Sequence, residues 1–308
     1  MFSSPVLLVI WAYYAIVRGE AGLAAMARET LFLLLFSGAS ALLSYHVITL
    51  NLPLVDDELV AIDRALGFDW LTYVGVANDS ALIGDLSSLF YIAALPSVAL
   101  AIAVLPLAGK TDRAEELLLA VMIGALAAIA VSGVLPASGA LAHFRDAPGF
   151  SMENRPLVDL KYMQPFFDLR DGNPVLFALS QPKGLIAFPS YHVALGVIVT
   201  LAFRDMPRLL VPVALVNGAM ILTTPIDGGH HMVDGIAGAV LGVAAVRAAA
   251  AIRAAIARHE QAVGRRPVKS LSQMTSGCSS RVSGPGKSTG HSCGPRSATG
   301  TGRGAAAG

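Results

Sequence analysis

The sequence predicts an all-α membrane protein, a polytopic helix bundle with a six-helix core and a candidate extra helix at the N-terminus. Three observations carry that expectation. Hydrophobic residues make up 55% of the 308 and charged residues 14%, against roughly 25% charged in soluble domains; the mean hydropathy is +0.63. Six apolar runs meet or approach the roughly 20 helical residues that a hydrocarbon core of about 30 Å requires. Basic residues gather in the short connections on one side of those runs, as the positive-inside rule describes.

Taken in order, residues 1–29 hold a first apolar run, Pro5–Val17, with no basic residue ahead of it. That pattern argues against a cleaved signal peptide and predicts a short membrane or interfacial helix. The membrane domain spans 30–252. Its runs are Thr30–Leu50, Ala81–Leu107, Leu117–Leu135, Pro189–Phe203, Leu209–Thr224 and His230–Ile252. The fourth and fifth are short, so their polar flanks are expected to reach into the interface.

The loop 51–80 is acidic, with Asp56, Asp57, Glu58, Asp63, Asp69 and Asp79 against Arg64. Leu59, Ile62, Ala65 and Leu66 recur as one helix face, and Trp70 and Tyr73 follow. An amphipathic surface helix with aromatic anchors is expected there. Lys110, Arg113, Arg204, Arg208, Arg253 and Arg258 mark the cytoplasmic side, and Arg18 and Arg28 agree. The loops 51–80 and 136–188 and the Pro225–Gly229 turn then fall outside. The tail 253–308 turns rich in Gly, Ser, Thr, Pro and Arg after about Gln261, which predicts a basic, disordered cytoplasmic segment. Cys278 and Cys293 both lie in it and form no disulfide or metal framework. A net charge of +1 gives no reason to expect nucleic acid as a partner.

Two polar clusters fall on the same outer face. One is Thr223–Asp234, Thr-Thr-Pro-Ile-Asp-Gly-Gly-His-His-Met-Val-Asp; the other is Phe188-Pro189-Ser190-Tyr191-His192-Val193. His230 and Asp234 stand one helical turn apart, so the carboxylate can accept from Nδ1 and leave Nε2 free to act. Phosphoester cleavage without a metal needs a nucleophile, an acid for the leaving oxygen, and positive groups for the phosphoryl oxygens. His230 is the expected nucleophile, Asp234 its orienting partner and His192 the general acid. Ser190 and the first amides of the helix after it are expected to cradle phosphate, helped by the helix dipole. A carboxylate such as Asp234 at a membrane helix end is costly without a partner. His231 lies about 100° from His230 around an ideal helix and reads as a packing or interfacial residue, and Asp227 as a turn residue.

Pro-Ser-x-His at 189–192 followed by Gly-His-x-x-x-Asp at 229–234 resembles the second and third signature blocks of the type 2 phosphatidic acid phosphatase superfamily. The resemblance covers about 30–252 and implies a six-helix membrane core that cleaves or transfers phosphoesters, with the same roles at the matching positions. The Phe-Pro-Ser-x-His-Val form is similar to the branch with inositolphosphorylceramide synthases. Two departures from the phosphatase pattern follow. A first block, Lys-x6-Arg-Pro, ends here in Arg155-Pro156 but has Pro148 in place of its lysine, and Thr223-Thr224 replace the Ser-Arg that opens the third. Candidate replacement cations are Arg155, Lys183, Lys161 and Arg170, with Lys183 and Arg155 the leading phosphate ligands.

The expected activity is a lipid phosphotransferase or phosphatase working through phosphohistidine, without metal or other cofactor, on a lipid phosphoester within the membrane. The bacterial inner membrane is the expected location, with the site on the non-cytoplasmic face. Two further readings remain open from the residues: a metal site built from His230, His231, Asp234 and Asp227, and a non-catalytic lipid transporter or binding protein. Polar residues crowded on one membrane face, with no internal repeat, favour the enzyme.

Overall fold

The computed structural model describes residues 3–148, 150, 162–177 and 184–264. Met1–Arg258 form one compact unit; of a second, His259–Gly308, the described part 259–264 is helical. All regular elements among the described residues are helical: α1 (Ser3–Ala12) with a π-helical turn (Tyr13–Arg18), α2 (Ala21–Ile48), α3 (Asp56–Ala65), α4 (Trp70–Asn78), α5 (Ala81–Leu107), α6 (Thr111–Val134), α7 (Ala140–His143), α8 (Met163–Arg170), α9 (Tyr191–Ala202), α10 (Pro207–Asp227) and α11 (Met232–Gly264).

Among the described residues, α2, α6, α10 and α11 are long and apolar enough to cross a membrane, and α5 makes a fifth if its two halves count as one span. That is the make-up of an integral membrane protein. α5 bends by 45° between Ala93 and Pro96, where proline lacks the amide and crowds the preceding turn. α9, expected as the fourth span, has 12 residues and at 1.5 Å per residue reaches about 18 Å, short of crossing alone. Phe32, Leu35, Leu42, Val211, Leu215 and Val240 point outward, as side chains in lipid contact must.

α2 and α6 begin earlier than their apolar runs, and α11 continues past Ile252 to Gly264, for one shared reason: the charges at those ends are paired. Arg28 bonds Glu29 at 2.6 Å and Glu115 at 2.5 Å; Arg253 reaches Asp112 at 2.7 Å and Glu115 at 3.1 Å; Glu116 takes Arg113 at 2.8 Å and Arg204 at 2.6 Å. Glu29 and Glu116 are buried in this network. Their pairing offsets the desolvation that would otherwise stop a helix at an acidic residue. The network gathers the start of α2, the start of α6, the end of α9 and the later part of α11 at one end of the bundle.

α9 sits inside. Its Ile198 and Val199 pack with Ile102 and Leu105 of α5, Leu117 and Val121 of α6, and Ala245 and Ala249 of α11. α9 and α11 approach backbone to backbone through Gly238 and Gly242: a Cβ on Gly238 would lie 2.2 Å from the Ser190 carbonyl oxygen, and one on Gly242 2.8 Å from that of Ala194. Small residues four apart allow this close crossing in membrane helices.

The acidic loop corrects the sequence expectation. It forms two helices, α3 and α4, separated at Gly67; Trp70 and the α3 carboxylates Asp56 and Asp63 are buried, whereas Asp57 and Glu58 stay at the surface. Trp70 is only 3% exposed, stacks on Phe144 at 5.4 Å, and donates its Nε1–H to the Pro225 carbonyl at 3.0 Å. Tyr73 donates to the Leu222 carbonyl at 2.8 Å. The Pro225 carbonyl is among the last four of α10, which lack intrahelical donors; Trp70 of α4 caps it, and Tyr73 adds a bond one turn earlier in α10. Asp56 and Asp63 turn inward.

Candidate active site

The site lies at the end of the bundle opposite the arginine network, where α9 and α11 begin. Between α10 and α11 the chain turns through Gly228 and Gly229. Gly229 has φ +63°, a left-handed conformation natural to glycine, and its carbonyl accepts from the Leu141 amide at 3.2 Å. A Cβ on Gly228 would lie 2.8 Å from His230 Cδ2 and 3.1 Å from the Tyr91 ring. This turn presses the His230 ring between the loop and the mouth of α9.

Three predicted residues meet there. His230 Nδ1 is 3.2 Å from Asp234 Oδ2, and His230 Nε2 is 3.4 Å from Ser190 Oγ. Exposures of 0% for Ser190, 5% for His230 and 0% for Asp234 place the set out of bulk water. With Nδ1–H donating to the carboxylate, Nε2 carries the lone pair and faces Ser190. The Ser190 amide donates to the Asp234 carbonyl at 3.0 Å, which ties the start of α9 to the first turn of α11. Beyond Ser190, the opening amides of α9 have no intrahelical acceptor.

His192, the predicted acid, does not join this chain of contacts. It packs on Tyr91 of α5, ring centroids 5.3 Å apart, and borders a cavity of about 400 Å³ walled by Leu33, Val98, Val121, Ile129 and Leu195. His192 thus connects the cavity to Tyr91, which stands near the Gly228 turn before His230. Arg155, Lys183 and Lys161 lie outside the described residues. Arg170 donates to the Leu52 carbonyl at 2.6 Å and sits 5.7 Å over the Phe166 ring. Thr224, at the position of the absent arginine, is buried with its hydroxyl on the Met220 carbonyl at 2.9 Å.

Five residues were missed or under-read: Asp56, Asp63, His231, Tyr91 and Asp227. His231 is not an interfacial residue. Its Nε2 is 3.3 Å from Asp56 Oδ1 and its Nδ1 3.8 Å from Asp63 Oδ2. Asp63 also accepts from the first amides of α11, Met232 at 2.9 Å and Val233 at 2.8 Å, so it serves as an N-cap supplied by another helix. Asp56 accepts from the amides of Ser138 at 2.8 Å and Gly139 at 2.9 Å. Burial raises the Asp56 carboxyl, but its hydrogen bonds to His231 and those amides hold it below the ordinary value. Asp227 accepts from Ser87 and, at 2.8 Å, from Ser88, binding α10 to α5. His230 and Asp234 are thus turned toward Ser190, His231 toward α3 and Asp227 toward α5; the four do not converge as a metal site requires. The acidic residues of 51–80 were visible in the sequence, but only the tertiary approach of α3 to α11 reveals what they hold.

A protein-family model described as the PAP2 superfamily matches residues 57–248. The chain belongs to the PAP2 superfamily. The match takes in α3 to α11 and every residue of the Ser190–His230–Asp234 set, and membership brings a phosphatase or phosphotransferase type of activity. Neither the curated proteins nor the solved structures contain a match to the chain.

Proposed function

We propose that this PAP2 superfamily member is a metal-independent lipid phosphotransferase that works through a phosphohistidine on His230 and resembles the inositolphosphorylceramide synthases. The observation that carries the reading is the chain of contacts from Asp234 through His230 to Ser190, set beside an apolar cavity bordered by His192. His230 Nε2 attacks phosphorus and the bond to the leaving alcohol breaks. His192 gives a proton to the departing oxygen, and a placed acid of this kind contributes roughly 10²–10⁴-fold. Asp234 holds the Nδ1 proton and stabilises the positive imidazole that forms. In the second half an acceptor hydroxyl gives its proton to His192 and attacks phosphorus; the P–N bond breaks and both imidazoles return to their starting states.

Ser190 and the opening amides of α9 bind the phosphoryl oxygens, with Arg155 and Lys183 as further ligands. The absence of a cation at Thr224, together with the Phe-Pro-Ser-x-His-Val form, favours transfer to a lipid alcohol over hydrolysis. The membrane is read as a bacterial inner membrane, and the basic residues support the non-cytoplasmic side for the site. Arg28, Arg113, Arg204 and Arg253 share the opposite end, the side where basic residues are retained.

Purified protein in lipid, with excess chelator, a phosphoinositol lipid donor and ceramide, is expected to form a phosphorylated acceptor and diacylglycerol by mass spectrometry. Free phosphorylated inositol in place of an acceptor product would make it a hydrolase. Dependence on added divalent metal would reinstate the metal reading, and no turnover of any lipid phosphoester would favour the non-catalytic one.

A further inference from the structure

We propose that His231 is a positively charged positioning residue: an imidazolium clasped between Asp56 and Asp63 that holds Asp234 in line with His230. This rests on the proposed role of His230, but its own evidence is geometric.

Each ring nitrogen of His231 faces a carboxylate, Asp56 from Nε2 at 3.3 Å and Asp63 from Nδ1 at 3.8 Å. A neutral imidazole has one N–H and one lone pair. Nε2 is within hydrogen-bond distance of Asp56, whereas Nδ1 makes no hydrogen bond among the described residues and meets Asp63 only as an ion pair. A neutral ring with its proton on Nε2 would turn the Nδ1 lone pair toward that carboxylate, and the doubly protonated ring is attracted by both. The other groups around it agree. Asp234 faces it from α11, and His143 of α7 packs at 6.1 Å between ring centroids and itself lies 3.8 Å from Asp57. Tyr162 donates to the Ser138 carbonyl at 2.9 Å, beside the amides that Asp56 holds. Burial pulls the His231 value down; the hydrogen bond to Asp56 and the charges of Asp234, Asp56 and Asp63 hold it above the ordinary 6.5.

The link to His230 is one atom. Asp234 Oδ2 takes both His230 Nδ1 at 3.2 Å and the His231 amide at 2.9 Å, while Asp234 Oδ1 has no hydrogen-bond partner among the described residues. Apart from His230 itself, the His231 amide is what orients that carboxylate. The side chain of His231 sets the place of the amide by anchoring it to α3, and Asp63 anchors the next two amides from the same helix. The two adjacent histidines divide the work: His230 keeps a free lone pair for phosphorus, and His231 keeps a charge that steadies the partner of His230. A raised value means the folded form holds this proton more tightly. The clasp is complete below pH 6.5 and is lost as pH rises through the folded midpoint.

Two measurements test it on the full chain in micelles. In the first, the seven histidines are labelled at ring carbon and titrated by NMR. The signal missing in His231→Gln is expected to titrate above 6.5, and Asp56→Asn should lower its midpoint by about one pH unit. If His231→Gln does not fold, the signal is identified as the one that Asp56→Asn moves. A His231 midpoint at or below 6.5, or no signal moved by Asp56→Asn, overturns the proposal whether or not the protein turns over a lipid. In the second, kcat of the wild type should fall as pH rises through that midpoint to the level of His231→Gln, and the variant should be slower below the midpoint and lack that step, keeping only the limb set by the general acid His192. A variant slowed equally at every pH, with the step at the His231 midpoint still present, assigns His231 a merely structural part and overturns the positioning role. Failure of the functional reading is separately visible as no wild-type turnover at any pH.

Discussion

Alanine at position 230 is expected to lower turnover by roughly 10⁴-fold or more, the scale seen when a nucleophile or its base is removed from a catalytic set that acts as a unit. His230 Nε2 lies 3.4 Å from Ser190 Oγ, and among the described residues no neighbour replaces it. His231 is turned to α3, and His192 borders the cavity. The substitution also strips a partner from Asp234, which is fully buried; a buried polar group left unsatisfied costs about 1–3 kcal/mol. Activity and stability must therefore be read together. His230→Gln keeps a donor for Asp234 but has no nucleophilic nitrogen, so it should recover much of the lost Tm and none of the activity. Measured kcat and thermal melts of the two variants separate the roles; substantial turnover by either would remove the nucleophile assignment.

Substitution at Gly238 is expected to have the next largest effect, although that residue touches no substrate. A Cβ there would sit 2.2 Å from the Ser190 carbonyl oxygen and 3.1 Å from its carbonyl carbon. Those are backbone atoms at the start of α9 and cannot rotate away, so α9 must shift. Gly238→Val should cost about 1–3 kcal/mol through overpacking, and a displacement near 1 Å at Ser190 is enough for about a 10²-fold loss of turnover. Gly235 provides the control. A Cβ there would meet nothing nearer than Val193 Cγ2 at 3.8 Å, and alanine in a helix interior is favoured over glycine by roughly 0.5–1 kcal/mol. Gly235→Ala should therefore hold or raise Tm. Equal effects at the two positions would contradict the packing account.

Much of the helix pattern was legible because apolar length alone marks a membrane helix. The site motif was legible because His230 and Asp234 are four residues apart and Ser190 stands immediately before the helix that carries His192. What escaped depends on contacts between distant segments. The start of α2 at Ala21 was hidden because Arg28 and Glu29 read as a boundary until Glu115 is seen to pair with Arg28. Trp70 read as an interfacial anchor because its partners, Pro225 and Phe144, are remote in sequence. Tyr91 gave no signal inside its apolar run. Asp56 and Asp63 were counted as surface charge, since an amphipathic pattern tells which residues share a face but not which face is covered. His231 was under-read for the same reason: it precedes the first turn of α11, and only the approach of α3 shows what its side chain meets.

The central claim is that His230 carries the phosphoryl group between donor and acceptor. The most direct measurement is to mix the protein with donor lipid in the absence of acceptor, quench without acid, digest, and locate any phosphate by mass spectrometry. The account predicts an acid-labile phosphate on the peptide containing His230, discharged when acceptor is added and absent in His230→Gln. Phosphate found on another residue, or turnover of the donor with His230 never labelled, would contradict it.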